Sequence, residues 1–304
     1  MHLSLGILIG IAIAIFILKV ASLTTIWALV RSFRARLAQH ATFTVTASES
    51  VQEDEFEYAP PTHPSLVEFR EAYRLDQIAG SGTEMERVVR VMQWVHSLTK
   101  RSFRPSRPAQ MTGLHLATQA LEHGQRFNCW MYSTVLNDAL LSLGFTSRLV
   151  HMYPPQERPK ESHVVVDVYS RPHEKWVHLD ADMCAYVSDE HGVPLGTGEI
   201  RQRIIDRRPL RVSDTVDISY VSFLWTALLK RIYIWYVAKN IFRIESPLRS
   251  EPGYETEFDG NQYIQLIPDG YRDAWLEQPR SSRSGAVFRY TRDERAFWRK
   301  PATS

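Results

Sequence analysis

The chain has 304 residues, 44% of them hydrophobic and 11% aromatic, enough apolar material to bury a core of ordinary size, which excludes a disordered protein. Its 36 basic and 34 acidic side chains leave a formal charge of +2, so no charge excess draws it to nucleic acid and none is expected as a partner. Two cysteines are too few for a disulfide framework and leave one bridge, two free thiols, or one reactive thiol and a bystander.

The chain opens on MHLSLGILIGIAIAIFIL (1–18), then Lys19 and a second apolar run, VASLTTIWALV (20–30). A bilayer core takes about 17–25 apolar residues in a helix, so 1–30 is expected to be a transmembrane anchor in which Lys19 must snorkel. A signal peptide is the competing reading, but no Lys or Arg precedes the apolar run and no small-residue cleavage site follows it. Arg31, Arg34 and Arg36 follow the run with nothing comparable before it, which favours a single pass with the body of the chain on the cytoplasmic face. Residues 31–64, including the acidic and Pro-rich SESVQEDEFEYAPPTHP (48–64), read as a solvated linker.

The globular part is expected over 65–270. In MERVVRVMQWVHSLTK (85–100), Val88, Val89, Met92, Val95 and Leu98 recur at helical spacing, and LHLATQALEHG (114–124) is a second helix that stops at Gly124. The next, FNCWMYSTVLNDALLSLGF (127–145), has Asn128 as N-cap, an apolar stripe through Val135, Leu136, Ala139, Leu140 and Leu143, and Gly144 as its stop. Cys129 therefore sits in its first turn. The pattern then changes to strands in SRLVHMY (147–153), SHVVVDVY (162–169) and KWVHLDAD (175–182), with another in NQYIQLIP (261–268). ISYVSFLWTALLKRIYIWYVAKNIF (218–242) is broken by Lys230 and Arg231 and reads as a domain helix, with an interfacial helix as the alternative. Residues 271–304 read as a polar, basic, loosely packed tail.

A cysteine at a helix N-terminus feels the positive end of the peptide dipoles, which favours thiolate over thiol. His163 opens one strand, and the next strand puts Trp176, His178, Asp180 and Asp182 on a common face. The intervening SRPHE (170–174) is short enough for a hairpin. If its loop is even, opposed residues sum to an odd number and His163 shares a face with Asp180 and Asp182. A helix carrying Cys129 on that face then completes Cys-His-Asp, with His163 as base and Asp180 orienting it. Asp182 is the rival for the acid role, and His178 and Trp130 are expected as neighbours of the site. The oxyanion would be met by the Cys129 backbone N–H with Gln125 or Asn128. Cys184 reads as a packing residue, with a bridge to Cys129 as the minor alternative. His151, His173 and His178 lack a tight ligand pair, and no acidic cluster has calcium-loop spacing, so no metal or cofactor is expected.

The order of helix-borne Cys129, strand-opening His163 and strand-closing Asp180 resembles the transglutaminase-like core, a branch of the papain-like cysteine enzymes, in its bacterial form. MQWVHSLTK and DEHGVPLGTGEI (189–200) add to the likeness, which covers about 85–205. Trp130 agrees with the animal enzymes, while Phe127 and Asn128 stand where many relatives carry a small residue followed by a polar one. The resemblance implies an α+β domain with helices packed on an antiparallel sheet, and Cys129, His163 and Asp180 as nucleophile, base and acid. The expected activity is acyl transfer through a thioester, chiefly hydrolysis of a peptide or amide bond in a peptide or protein substrate. Cross-linking of glutamine to amines and a non-catalytic interaction domain are the alternatives.

Overall fold

Local caps and apolar spacing set helices over 84–97, 113–123 and 129–142, close to where the sequence puts them. The structure, a computed structural model, describes residues 5–44, 56–157, 159, 161–218, 226–273, 276, 280–282 and 284–302. Part of the expected linker (45–55), the start of the 218–242 stretch (219–225) and parts of 274–283 lie outside the described residues.

In chain order, α1 (Leu5–Gln39) is followed by β1 (Glu57–Tyr58), α2 (Pro64–Ala72), α3 (Leu75–Ala79), α4 (Glu84–Ser97), α5 (Gly113–His123) and α6 (Cys129–Ser142). Next come β2 (Ser147–Tyr153), β3 (His163–Ser170), β4 (Lys175–Asp180), β5 (Ala185–Ser188), α7 (Thr197–Asp206), β6 (Arg211–Val212) and α8 (Thr226–Asn240). The chain closes with β7 (Arg243–Pro247), β8 (Arg249–Ser250), β9 (Gln262–Leu266), β10 (Arg280–Ser281), β11 (Val287–Thr291) and α9 (Glu294–Phe297). A capping box between Thr83 and Glu86 starts α4, and Asn128 Oδ1 accepts the Met131 amide at 3.0 Å to start α6. Gly124 and Gly144, at φ 66° and 81°, turn the chain out of α5 and α6 through left-handed backbone that a side chain would strain.

Nine strands form one sheet in the order β10-β11-β9-β7-β2-β3-β4-β5-β6. Neighbours are antiparallel except β9 and β11, which run parallel, so the expected antiparallel sheet holds around the site and fails only toward one edge. In β3 and β4 Val166 opposes Leu179 and Tyr169 opposes Trp176. Opposed residues thus sum to an odd number, which puts His163, Val165 and Asp167 on one face with His178 and Asp180. Helices cover both faces. Val164, Val166 and Val168 pack with Met131, Val135 and Leu136 of α6, and Val165 packs on the other side with Tyr233 and Val237 of α8 and Ile200 of α7. The helix bearing Cys129 is therefore on the face opposite His163, not on the same face as the hairpin argument assumed.

Among the described residues no helix is long and apolar enough to cross a membrane, which overturns the expected transmembrane anchor, the single pass and the cytoplasmic orientation drawn from it. α1 does not end at residue 30 but continues through Arg31, Arg34 and Arg36 to Gln39. Its last turns belong to the domain: Leu37 is buried in the core beneath α8, and Phe33 packs against that core.

The tail is also corrected. Phe297 of α9 is fully buried, and its carbonyl accepts a 2.8 Å hydrogen bond from Nη2 of Arg148 on β2. That guanidinium lies 4.2–5.1 Å from the ring centroids of Phe56, Trp176, Phe297 and Trp298. A buried cation walled by aromatic faces ties the C-terminal segment to the sheet. Within the 218–242 stretch, α8 packs into the domain, with Tyr233 and Val237 fully buried.

The join of α5 to α6 yields a test of this packing. A Cβ added at Gly113 would meet Phe69 Cε1 at 2.5 Å and Asp138 Cβ at 2.8 Å, while the Gly113 N–H donates to Asp138 Oδ2 at 2.7 Å. Gly113→Ala is expected to cost about 1–3 kcal/mol, read as a lower urea midpoint at unchanged slope.

Candidate active site

Cys129 is the first residue of α6, at the end where backbone N–H groups have no intrahelical partner. His163 opens β3 and Asp180 closes β4. Because α6 lies on the opposite face from His163, the thiol and the imidazole meet around the end of the sheet rather than across it. His163 Nε2 and Asp180 Oδ2 are 2.6 Å apart, and Asp180 Oδ1 accepts the Met183 amide at 3.0 Å. With Nε2 taken, Nδ1 is the nitrogen left for Cys129. A ring nitrogen of His163, Cys129 Sγ and a carboxylate oxygen of Asp182 all lie within 4.8 Å of one another.

His163 and Asp180 are 0% exposed, so an approaching molecule reaches the site only by way of Cys129, at 9%. Burial would push the His163 pKa down; the Asp180 carboxylate, helped by the Cys129 side chain, overrides it and lifts it to about 10. Burial opposes the Asp180 charge as well, and the facing imidazolium holds its pKa below the usual carboxylate value. Tyr236 of α8 stands edge-on to the His163 ring at 4.8 Å and seals it from the second face.

The other residues singled out from the sequence fall in different places. Asp182 is next to the site but pairs with Arg101, and Asp180 holds His163. Burial lifts Asp182 to about 6 against the pull of Arg101, with Asp180 pushing the same way as burial. Arg101 is delivered by a bridge between its backbone and Phe127, and by Tyr132, whose hydroxyl donates to the Thr99 carbonyl at 2.6 Å. Gln125 points away, its amide donating to the Ser106 and Arg126 carbonyls. Asn128 spends its carbonyl on the helix cap and lines the cavity at Cys129. Cys184 is buried and free, as is Cys129, so no bridge joins them.

His178 shares the Asp180 face but belongs to a structural chain. The Thr197 hydroxyl donates to Asp167 Oδ1 at 2.7 Å, so it accepts from His178 Nδ1 at 2.8 Å. Burial drops His178 to about 4, leaving Nε2 of the neutral ring to accept from the Tyr233 hydroxyl at 2.8 Å.

A cavity of about 310 Å³ reaches Cys129 from the α6 face. Ionisable groups from three strands and a loop meet on its wall. His151 of β2 opposes Glu245 of β7, which opposes Gln265 of β9. Glu245 accepts from the Tyr153 hydroxyl at 3.0 Å and the Gln265 amide at 2.7 Å. Glu255, from the loop before β9, accepts from the Trp130 indole at 2.5 Å and lies 3.1 Å from His151 Nε2. Trp130 thus serves the cavity wall. His151 in SRLVHMY and Glu245 in RIESP were the available signal, and Glu255, in EPGYETEFDG, gave none. Among the described residues, neither cysteine lines a larger hollow of about 600 Å³ between α1, β6 and α8.

Residues 72–181 match the transglutaminase-like superfamily, so this stretch carries a transglutaminase-like domain. Among solved structures, a candidate cysteine protease from Cytophaga hutchinsonii is similar at 12% identity over 58% of this chain and 60% of its own, with a TM-score of 0.32. A candidate protease from Parabacteroides distasonis is similar at 15% identity over 40% of this chain and 27% of its own, with a TM-score of 0.25. The chain therefore spans less than two thirds of the length of either. No curated protein matches it.

Two measurements probe this geometry. Burial, with Asp180 and Asp217 nearby, pushes the Cys184 thiol up to about 12, so iodoacetamide near neutral pH is expected to label Cys129 alone by mass spectrometry, and His163→Ala to abolish that labelling. His178 titrates near 6.5 when unfolded and at about 4 when folded, so the unfolded chain binds the extra proton between those values. Its contribution to stability is complete above pH 6.5 and lost as the pH falls to about 4. His178→Gln is expected to flatten that part of a urea-midpoint profile.

Proposed function

We propose that the chain is a cysteine-dependent acyl-transfer enzyme that cleaves a peptide or amide bond through a thioester on Cys129. The observation that carries this reading is the buried 2.6 Å pairing of His163 with Asp180 beside a thiol that opens onto a cavity. His163 Nδ1 takes the thiol proton, and an imidazolium so placed favours the thiolate facing it. The thiolate sulfur bonds to the carbonyl carbon, the tetrahedral intermediate collapses, and His163 returns the proton to the departing amine as the C–N bond breaks. Asp180 accepts from Nε2–H throughout, fixing the tautomer and stabilising the charged ring. Water then attacks the thioester with His163 as base and frees the acid.

Transfer to a primary amine would use the same acyl-enzyme, and the triad does not discriminate between the two acceptors. The test is incubation with a set of peptide amides and activated esters, with and without a primary amine. An acyl adduct on Cys129 is expected by mass spectrometry, followed by release mainly as free acid. Cys129→Ala should give neither adduct nor product, and Asp180→Asn should slow turnover by about 10²–10⁴. Amine adducts in place of free acid would make it a transferase. No adduct from any acyl donor, with Cys129 no more reactive than Cys184, would leave a binding domain.

A further inference from the structure

We infer that His151 is a second catalytic histidine of this site: oriented by Glu255, it donates its free N–H to the carbonyl oxygen of the acyl substrate as that oxygen takes negative charge. The inference rests on Cys129 being the nucleophile. His163 and Asp180 are fully buried behind the thiol, so the carbonyl must enter from the cavity on the α6 face, and its oxygen must be met by what lines that cavity.

Neutral donors on its wall include Asn128, Ser162, Ser282 and Ser284, but a developing oxyanion is met best by a donor that also carries positive charge. The backbone N–H of Cys129, at the helix start, is a further neutral donor. Gln125 is turned to the Ser106 and Arg126 carbonyls and the Trp130 indole to Glu255. Two carboxylates on the wall, Glu245 and Glu255, would repel an oxyanion. Among the described residues no Lys or Arg lines the cavity, and His151 is its one basic side chain. Its Nε2 is buried against Glu255, which leaves Nδ1 for the cavity.

The surroundings hold His151 in the donating form. Burial alone would lower its pKa, but Glu255 and then Glu245, with Cys129 on the third side, raise it to about 9. Tyr153 stacks on the ring at 6.5 Å and Tyr263 meets it edge-on at 6.4 Å. Arg243, the nearest guanidinium on β7, donates to Gln265 and to the Pro154 and Gln156 carbonyls. At neutral pH both nitrogens of His151 therefore carry protons, one toward Glu255 and one for the substrate. As the Cys129 S–C bond forms, the carbonyl π pair moves onto oxygen and is met by this N–H; collapse of the intermediate returns the pair to the C=O bond. His151 keeps its proton, so its part is separate from that of His163. A preorganised donor of this kind acts on the charged intermediate more than on the bound substrate.

The test separates steps that form an oxyanion from one that does not. Acylation by p-nitrophenyl acetate passes through an oxyanion; alkylation by iodoacetamide needs only the thiolate. Both are measured at pH 7.5, roughly neutral, on the full chain, in wild type and His151→Gln. A loss of acylation of about 10²–10³ with alkylation little changed is the expected result. Should His151→Gln fail to fold by circular dichroism, the double variant His151→Gln/Glu255→Gln, which strands neither charge, takes its place. Acylation at the wild-type rate would make His151 structural and leave the Cys129 reading standing. Equal loss of both rates would assign His151 to the thiolate or the fold and also overturn the inference. If wild type is neither alkylated faster than Cys184 nor acylated, the nucleophile reading fails and this one fails with it.

Discussion

The hydrogen bond between His163 and Asp180 is the constraint around which the rest of the structure is arranged. Two ionisable groups with no exposure are costly to bury, and breaking such a pair by removing one member costs about 3–5 kcal/mol because the other is left charged and alone. The 2.6 Å contact therefore demands the odd register between β3 and β4, a backbone amide from Met183 for the second Asp180 oxygen, and a lid. α8 supplies the lid with Tyr236 over the His163 ring and Tyr233 behind it. His178, Thr197 and Asp167 carry the same sealed layer across to α7.

Cys129 approaches from the other side of the sheet. Its helix is almost wholly buried, so the position of its first turn is set by packing along its whole length rather than by any local contact. With His163 and Cys129 on opposite faces, the thiol is where the buried pair meets the cavity. His163 and Asp180 are kept from water while the Cys129 sulfur stays reachable, the division that the proposed thiolate mechanism requires.

The cavity itself is shared about evenly between the transglutaminase-like stretch and the chain beyond it. Residues 72–181 provide Cys129, His163 and Asp180, whereas Glu245, Glu255, Phe258, Tyr263 and Phe288 come from β7 onward. Strands β7, β9 and β11 extend the sheet past β2, and the Arg148 cage with α9 fastens the C-terminal end. Cys129, His163 and Asp180 thus come from one part of the chain and much of the cavity wall before Cys129 from another.

Cys129 at a helix start, His163 at a strand start and Asp180 at a strand end were legible in the sequence by itself, because caps, apolar spacing and two-residue alternation are local properties. The hairpin register was legible too, since a short turn couples the parity of two strands. The face from which α6 approaches was not, because alternation says which residues share a side and never which helix covers it. Nor was the fate of the first thirty residues: apolar composition cannot tell a helix bound for lipid from one that runs on into a domain. Only the tertiary structure separated Asp180 from Asp182, through the pull of Arg101 from 81 residues away, and brought His151 to Glu255. Contacts between segments so distant leave no periodic trace; they exist only once the core has closed and every buried charge has had to find its partner.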